Sequence, residues 1–118
     1  MKALVTCSGL SNTGRLTTQV AMILVSRSRG TIAWVQAHKG EHLIADVTTD
    51  ADPIIVIDGC SDHCAARKCA LGGINSDHHI VVTELGVEKD GMADVQWDDV
   101  EKVLAAVEQE SNRMKSGE

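Results

Sequence analysis

Four short apolar runs, Ala3-Leu4-Val5-Thr6, Thr31-Ile32-Ala33-Trp34-Val35, Ile54-Ile55-Val56-Ile57 and Ile80-Val81-Val82, are separated by segments of helical period. That alternation restricts the folds open to the chain more than any other feature. The first, third and fourth runs lack a clean polar face, so each calls for cover on both sides, as strands of a parallel sheet do. Leu16, Val20, Ile23 and Leu24 recur at spacings of four, three and one, which marks one helical face after the first run. Ser11, Asn12 or Thr13 can cap that helix and Gly30 closes it. A short helix is expected through Leu43, Ile44 and Val47, and another across the cysteine-rich stretch up to Gly72-Gly73. Pro53 opens the third strand, and Glu88-Lys89-Asp90-Gly91 reads as a turn. The last helix starts at Asp98-Asp99, buries Val100, Val103, Leu104 and Val107, and carries Arg113 and Lys115 near its end, the charge order that the helix dipole favours. The pattern predicts a single α/β domain over 1–112, with 113–118 as a frayed tail. Its core is an open parallel sheet of about four strands with helices on both faces, Rossmann-like or flavodoxin-like.

Composition removes several functions. The chain of 118 residues has no Phe, no Tyr and only Trp34 and Trp97, so it lacks the aromatic platform on which single-stranded nucleic acids stack. A net charge of -6 also opposes a polyanion, and no nucleic-acid partner is expected. No apolar run approaches the ~20 residues of a membrane span, so no membrane partner is expected. Met1-Lys2-Ala3-Leu4-Val5 reads as a strand rather than a signal peptide. A cytoplasmic location is therefore expected, where thiols stay reduced. Four cysteines in such a domain favour metal binding or catalysis over a disulfide framework.

In open α/β sheets ligands bind beyond the carboxyl ends of the strands. Cys7 ends the first apolar run, and Cys60 and Cys64 follow the third; Gln36-Ala37-His38 and Thr83-Glu84 lie at the other two ends. Two strand ends that each deliver thiols point to one shared site. On a helix, the spacing of Cys60 and Cys64 would place both on one face about a turn apart. Cys60 just before that helix would also meet its free amides, which favour a thiolate and hence zinc capture. Cys69 rotates off that face and reads as core. Three thiolates leave a fourth position on Zn2+ for His38, His63, Asp58, Glu84 or water. Asp58 has a second reading, in which it accepts hydrogen bonds from loop amides and holds the turn.

The chain resembles the DGC-domain proteins. The resemblance rests on Cys7-Ser8-Gly9 leading to Ser11-Asn12-Thr13-Gly14, on Ile57-Asp58-Gly59-Cys60 with Cys64-Ala65, and on Val82-Thr83-Glu84-Leu85-Gly86-Val87-Glu88-Lys89. It spans about residues 3–90. It implies a small α/β domain whose cysteines bind zinc, with no established reaction, and it singles out Cys7, Cys60 and Cys64, with Asp58 beside them. The resemblance also implies a further cysteine at the end of the second strand. This chain has Trp34 there, followed by Gln36-Ala37-His38-Lys39-Gly40, so that either His38 substitutes as a ligand, or the site has three ligands, or metal binding has been lost.

Three rival readings stand beside zinc. Helix-mouth thiols exchange disulfides readily, so Cys60 with Cys64 or Cys7 could form a redox couple, although the chain has no Cys-x-x-Cys. A strand ending in Cys7, a polar loop and a helix suggest a phosphatase-like oxyanion cradle. Such a cradle needs Cys-x5-Arg, and Thr13 stands where the arginine should be, with Arg15 two residues beyond. The blandest reading is an interaction module with incidental thiols. Of the remaining histidines, His78 and His79 should point to opposite faces at the amino end of a strand, as solvated surface residues away from the site. His42 has no evident partner.

Overall fold

The computed structural model describes residues 1–7 and 9–116, with side-chain surroundings through Glu110. Its four strands are β1 (Lys2–Thr6), β2 (Ile32–Gln36), β3 (Ile54–Asp58) and β4 (His78–Val81), all parallel, in the order β2-β1-β3-β4. The helices are α1 (Asn12–Ser28), α2 (Glu41–Thr48), α3 (Cys64–Leu71) and α4 (Trp97–Ser116). Single 3-10 turns follow β2 at Ala37–Lys39 and β4 at Val82–Leu85. The α/β expectation holds.

Alternate residues of each central strand feed two separate apolar layers, which is why the runs look apolar throughout. Leu4, Ile55, Ile57 and Ile80 pack with Leu16, Val20 and Leu24 of α1 and with Val100, Val103, Leu104 and Val107 of α4. Val5, Cys7, Val35 and Val56 pack on the other face with Ile44 of α2 and with Ala65 and Cys69 of α3. Each fully buried Val, Ile or Leu contributes about 1.5–3 kcal/mol. A core without Phe or Tyr therefore depends on many such side chains rather than a few large ones.

The helix ends follow their local chemistry. Ser11 is the N-cap of α1, its Oγ accepting from Gly14 N at 3.3 Å. Arg29 at φ 52° and Gly30 at φ 85° turn the chain out of α1. The acidic pair Asp98-Asp99 lies in the first turn of α4. The tail expected to fray falls partly on the end of α4 and partly on residues 117 and 118, which lie outside the described residues.

Connections from β1 and β3 leave in opposite directions, β1 towards β2 on one side and β3 towards β4 on the other. The carboxyl ends of these two strands therefore flank the crevice where open α/β sheets bind ligands. Cys7 and Gly59 meet there.

Candidate functional site

A pocket of about 150 Å³ opens at that crevice, lined among others by Cys7, Asp58, Cys60, His63, Cys64 and Lys89. Cys7 is buried on the floor. Its Sγ accepts from Gly59 N at 3.2 Å and lies 3.7 Å from Thr17 Oγ1. Thr17 Oγ1 in turn donates within α1 and back to the Cys7 carbonyl. The sulfur is thus held between the start of α1 and the end of β3.

Gly59 is fixed by close approach. A Cβ there would stand 2.9 Å from the backbone of Thr13 and Gly14. Gly59→Ala is expected to force β3 and α1 apart at a cost of about 1–3 kcal/mol, measured as a lower urea midpoint. A midpoint equal to that of the parent chain would show that the contact can relax.

Asp58 supplies the main polar anchor. It is 1% exposed, yet both carboxylate oxygens are occupied: Oδ1 accepts from Ala65 N at 2.7 Å and Oδ2 from Ala66 N at 3.2 Å. Those amides belong to the first turn of α3, so the carboxylate caps the helix from six residues upstream of its start. His79 Nε2 meets Oδ2 at 2.8 Å. Of the two readings of Asp58, the one in which it accepts amide hydrogen bonds and holds the turn is the one seen.

That cap moves the helix start. The sequence places Cys60 and Cys64 on one helical face, but α3 begins only at Cys64. Cys60 lies in a turn closed by His63 N donating to its carbonyl, and His63 takes φ 53° before the helix begins. The four-residue spacing therefore spans a turn and a left-handed residue rather than a helical turn. Because Asp58 occupies the Ala65 and Ala66 amides, Cys60 is not at the mouth of α3 as expected. Cys64 is exposed, Cys60 half-buried, and no disulfide joins any of the four cysteines.

The histidines divide differently from expectation. His79 is exposed as expected, but it is not away from the site. In the register Val56 faces His79 and Asp58 faces Val81, so His79 shares the α3 face of the sheet with Asp58. β4 has only four residues, and one imidazole reaches from its amino end to the carboxyl end of β3. His78 points to the opposite face as expected, but it is largely buried rather than solvated, because it packs under α4 and pairs with Glu110 at 2.9 Å. His63 lines the pocket, its ring edge-on to His79 with centroids 4.9 Å apart, and its Nε2 is buried without a hydrogen-bond partner.

His38 is exposed on the 3-10 turn after β2 and does not line this pocket. Glu84 is exposed on the turn after β4, also outside the lining. His42 is exposed on α2. Trp34 turns to the α1 side, its Nε1 donating to Thr6 Oγ1 at 3.0 Å. Cys69 is buried under α3, where burial and then the negative charge of Asp58 push its thiol up, leaving it a core side chain.

Lys89 was hidden in what reads as an ordinary turn. Its Nζ stands 3.6 Å from Cys60 Sγ and 4.0 Å from Asp62. The segment 87–90 is irregular rather than a turn, the turn falling at Gly91-Met92, and it is stitched to α1: Asn12 donates to the Glu88 carbonyl at 2.8 Å and accepts from Asp90 N at 2.7 Å. Arg15 is equally engaged, donating to the carbonyls of Leu10 and Ala93. The Asn12 amide bonds to Gly91 O, and the Gly14 amide to Ser11 Oγ. The guanidinium and two amides of a phosphatase-like cradle are thus committed to holding loops together.

As the chain lies, no three His, Cys, Asp or Glu side chains among the described residues stand in a metal-holding group. The pocket nonetheless brings three thiols and an unpartnered imidazole nitrogen to one place. Among the described residues, no helix is long and apolar enough to cross a membrane. A family model described as DGC domain matches residues 3–107, a longer stretch than the 3–90 that the sequence motifs cover. No curated protein and no solved structure matches the chain.

Proposed function

The chain belongs to the DGC domain family, and on that premise we propose that it binds zinc in the pocket between β1 and β3. The observation that carries this reading is that Cys7, at the end of β1, and Cys60 and Cys64, in the segment after β3, line one pocket. Thiolate and imidazole are the donors zinc prefers, and His63 offers the fourth, with its Nε2 buried and without a partner. Asp58 serves as support rather than ligand, since both its oxygens already hold α3 and His79. Zinc would act here as a centre that gathers thiolates. Because the donors are not grouped as the chain lies, Cys7, Cys60, Cys64 and His63 would have to draw together to hold the ion, which would couple metal affinity to local folding. The reading places the protein in a reducing compartment, consistent with its four free thiols.

Elemental analysis of protein prepared without chelator is expected to give about one zinc per chain. The Cys60→Ser, Cys64→Ser double variant is expected to lose it. Full occupancy in that variant would sink the proposal.

A thiol–disulfide couple is the second reading. It is favoured by the same absence of a ready metal-holding group among the described residues, in a pocket that still gathers three thiols. It calls for a reversible two-electron couple at roughly −200 to −300 mV with negligible zinc affinity. The zinc reading calls for the reverse: thiols that zinc shields from alkylation and no stable disulfide at that poise.

A further inference from the structure

Lys89 lines the pocket, and neither the zinc nor the disulfide reading gives it a role. Its amine nitrogen stands 3.6 Å from Cys60 Sγ, at the mouth of the pocket where Cys60 is half-buried. Two features bring the half-exposed Lys89 side chain to this place. Asn12 grips the backbone on both sides of Lys89, through the Glu88 carbonyl and the Asp90 amide. Asp62, itself exposed, lies 4.0 Å from the amine and offers it an opposite charge. All four cysteines are unbridged, so the side chain poised against the Cys60 sulfur is an amine and not a second thiol.

We propose that Cys60 and Lys89 form an oxidation-sensitive pair, in which peroxide converts Cys60 to a sulfenic acid and the Lys89 amine captures it as a sulfur–nitrogen cross-link. In the first step the Cys60 sulfur attacks one peroxide oxygen. The O–O bond breaks, an S–O bond forms, sulfur is oxidised by two electrons, and the peroxide leaves as an alcohol or, from hydrogen peroxide, as water. In the second step the Lys89 ammonium gives up a proton to solvent, and the free amine so formed attacks the sulfenic sulfur. An S–N bond forms, the S–O bond breaks, and the hydroxyl departs with one amine proton as water, with no further change in electron count. Sulfenic acids condense with nearby nitrogen in this way, and capture halts their further oxidation to the irreversible sulfinic acid. A reducing thiol reverses the link by attacking the sulfur, releasing the amine, and leaving as a disulfide once a second thiol completes the exchange. The link would remove Cys60 from any donor set while tying the 88–90 segment to the 59–63 turn. None of these steps needs a metal, so the inference stands or falls separately from zinc binding.

The test treats the full chain with hydrogen peroxide after chelator has removed any bound metal, then maps its peptides by mass. The expected product is the Cys60 peptide joined to the Lys89 peptide, two hydrogens lighter than the separate pair and split again by dithiothreitol. Lys89→Arg keeps the positive charge but removes the nucleophilic amine. It is expected to lose the link and to accumulate sulfinic acid at Cys60, with an unchanged circular dichroism spectrum. Lys89→Ala serves in its place should the arginine disturb the loop. A disulfide from Cys60 to Cys7 or Cys64 in the parent chain would overturn the proposal. So would an unlinked Cys60 that over-oxidises equally fast in the parent and in either variant.

Discussion

Asp58→Ala is expected to destabilise the fold by about 3–5 kcal/mol, a large share of the roughly 5–15 kcal/mol that holds a domain together. The carboxylate is almost wholly buried and makes three hydrogen bonds, to Ala65 N, Ala66 N and His79 Nε2. Truncation leaves two first-turn amides of α3 without partners, at about 1–3 kcal/mol each, and strands one imidazole. These costs overlap, because α3 can fray to let water reach its amides. His79→Ala is expected to cost only about 1 kcal/mol, since that ring is partly exposed and its loss leaves the helix cap intact. Asp58→Asn should fall between the two: its carbonyl still serves one amide, while its NH2 must face a donor. Urea unfolding of the three variants gives the order directly. An Asp58→Ala midpoint within about 0.5 kcal/mol of the parent, the range of ordinary surface changes, would show that the carboxylate does not hold α3.

The same residue explains how far the sequence can be read. The four apolar runs predicted the strands, and the covered faces predicted that they pair in parallel, because both are local patterns. The Leu16–Leu24 spacing and Ser11 likewise define α1 without knowledge of its neighbours. The start of α3 was less legible. It depends on a carboxylate on β3 reaching into a helix seven residues further on, and that contact makes Cys60-x-x-x-Cys64 a turn instead of a helical face. His79 was misplaced for a related reason. Its parity along β4 was readable, but its proximity to Asp58 depends on the register of β4 against β3, which no local pattern carries. Once Val56 and His79 are known to face each other, the pair follows from alternation alone. Lys89 depends on a longer contact still, through Asn12, 76 residues away from the carbonyl that it holds. The site was legible as a set of thiols at strand ends, whereas the side chains that orient it arrive through tertiary contacts.

Cys7 and Cys69 offer the sharpest separation of site from core, because both thiols are buried in the same apolar layer. Cys7→Ser is nearly isosteric, and its hydroxyl can still accept from Gly59 N, so the fold should survive with little change. Zinc should distinguish the two atoms, since an un-ionised hydroxyl is a poor substitute for a thiolate. Removing even an outer partner of a zinc ligand typically costs 10–100-fold, so loss of Cys7 as a ligand is expected to weaken binding by on the order of 100-fold or more. Cys69→Ala should behave in the opposite way. That sulfur lies under α3, its thiol pushed up by burial and by Asp58, so its removal empties a small volume at about 1 kcal/mol and leaves zinc affinity unchanged. Competition against a chromophoric chelator measures affinity, and urea unfolding of the same preparations measures stability. The expected result is a crossed pattern, affinity lost in one variant and stability in the other. Parent-like zinc affinity in Cys7→Ser would remove the floor of the pocket from the site. Loss of zinc in Cys69→Ala with the fold intact would move the centre beneath α3, to Cys64 and Cys69.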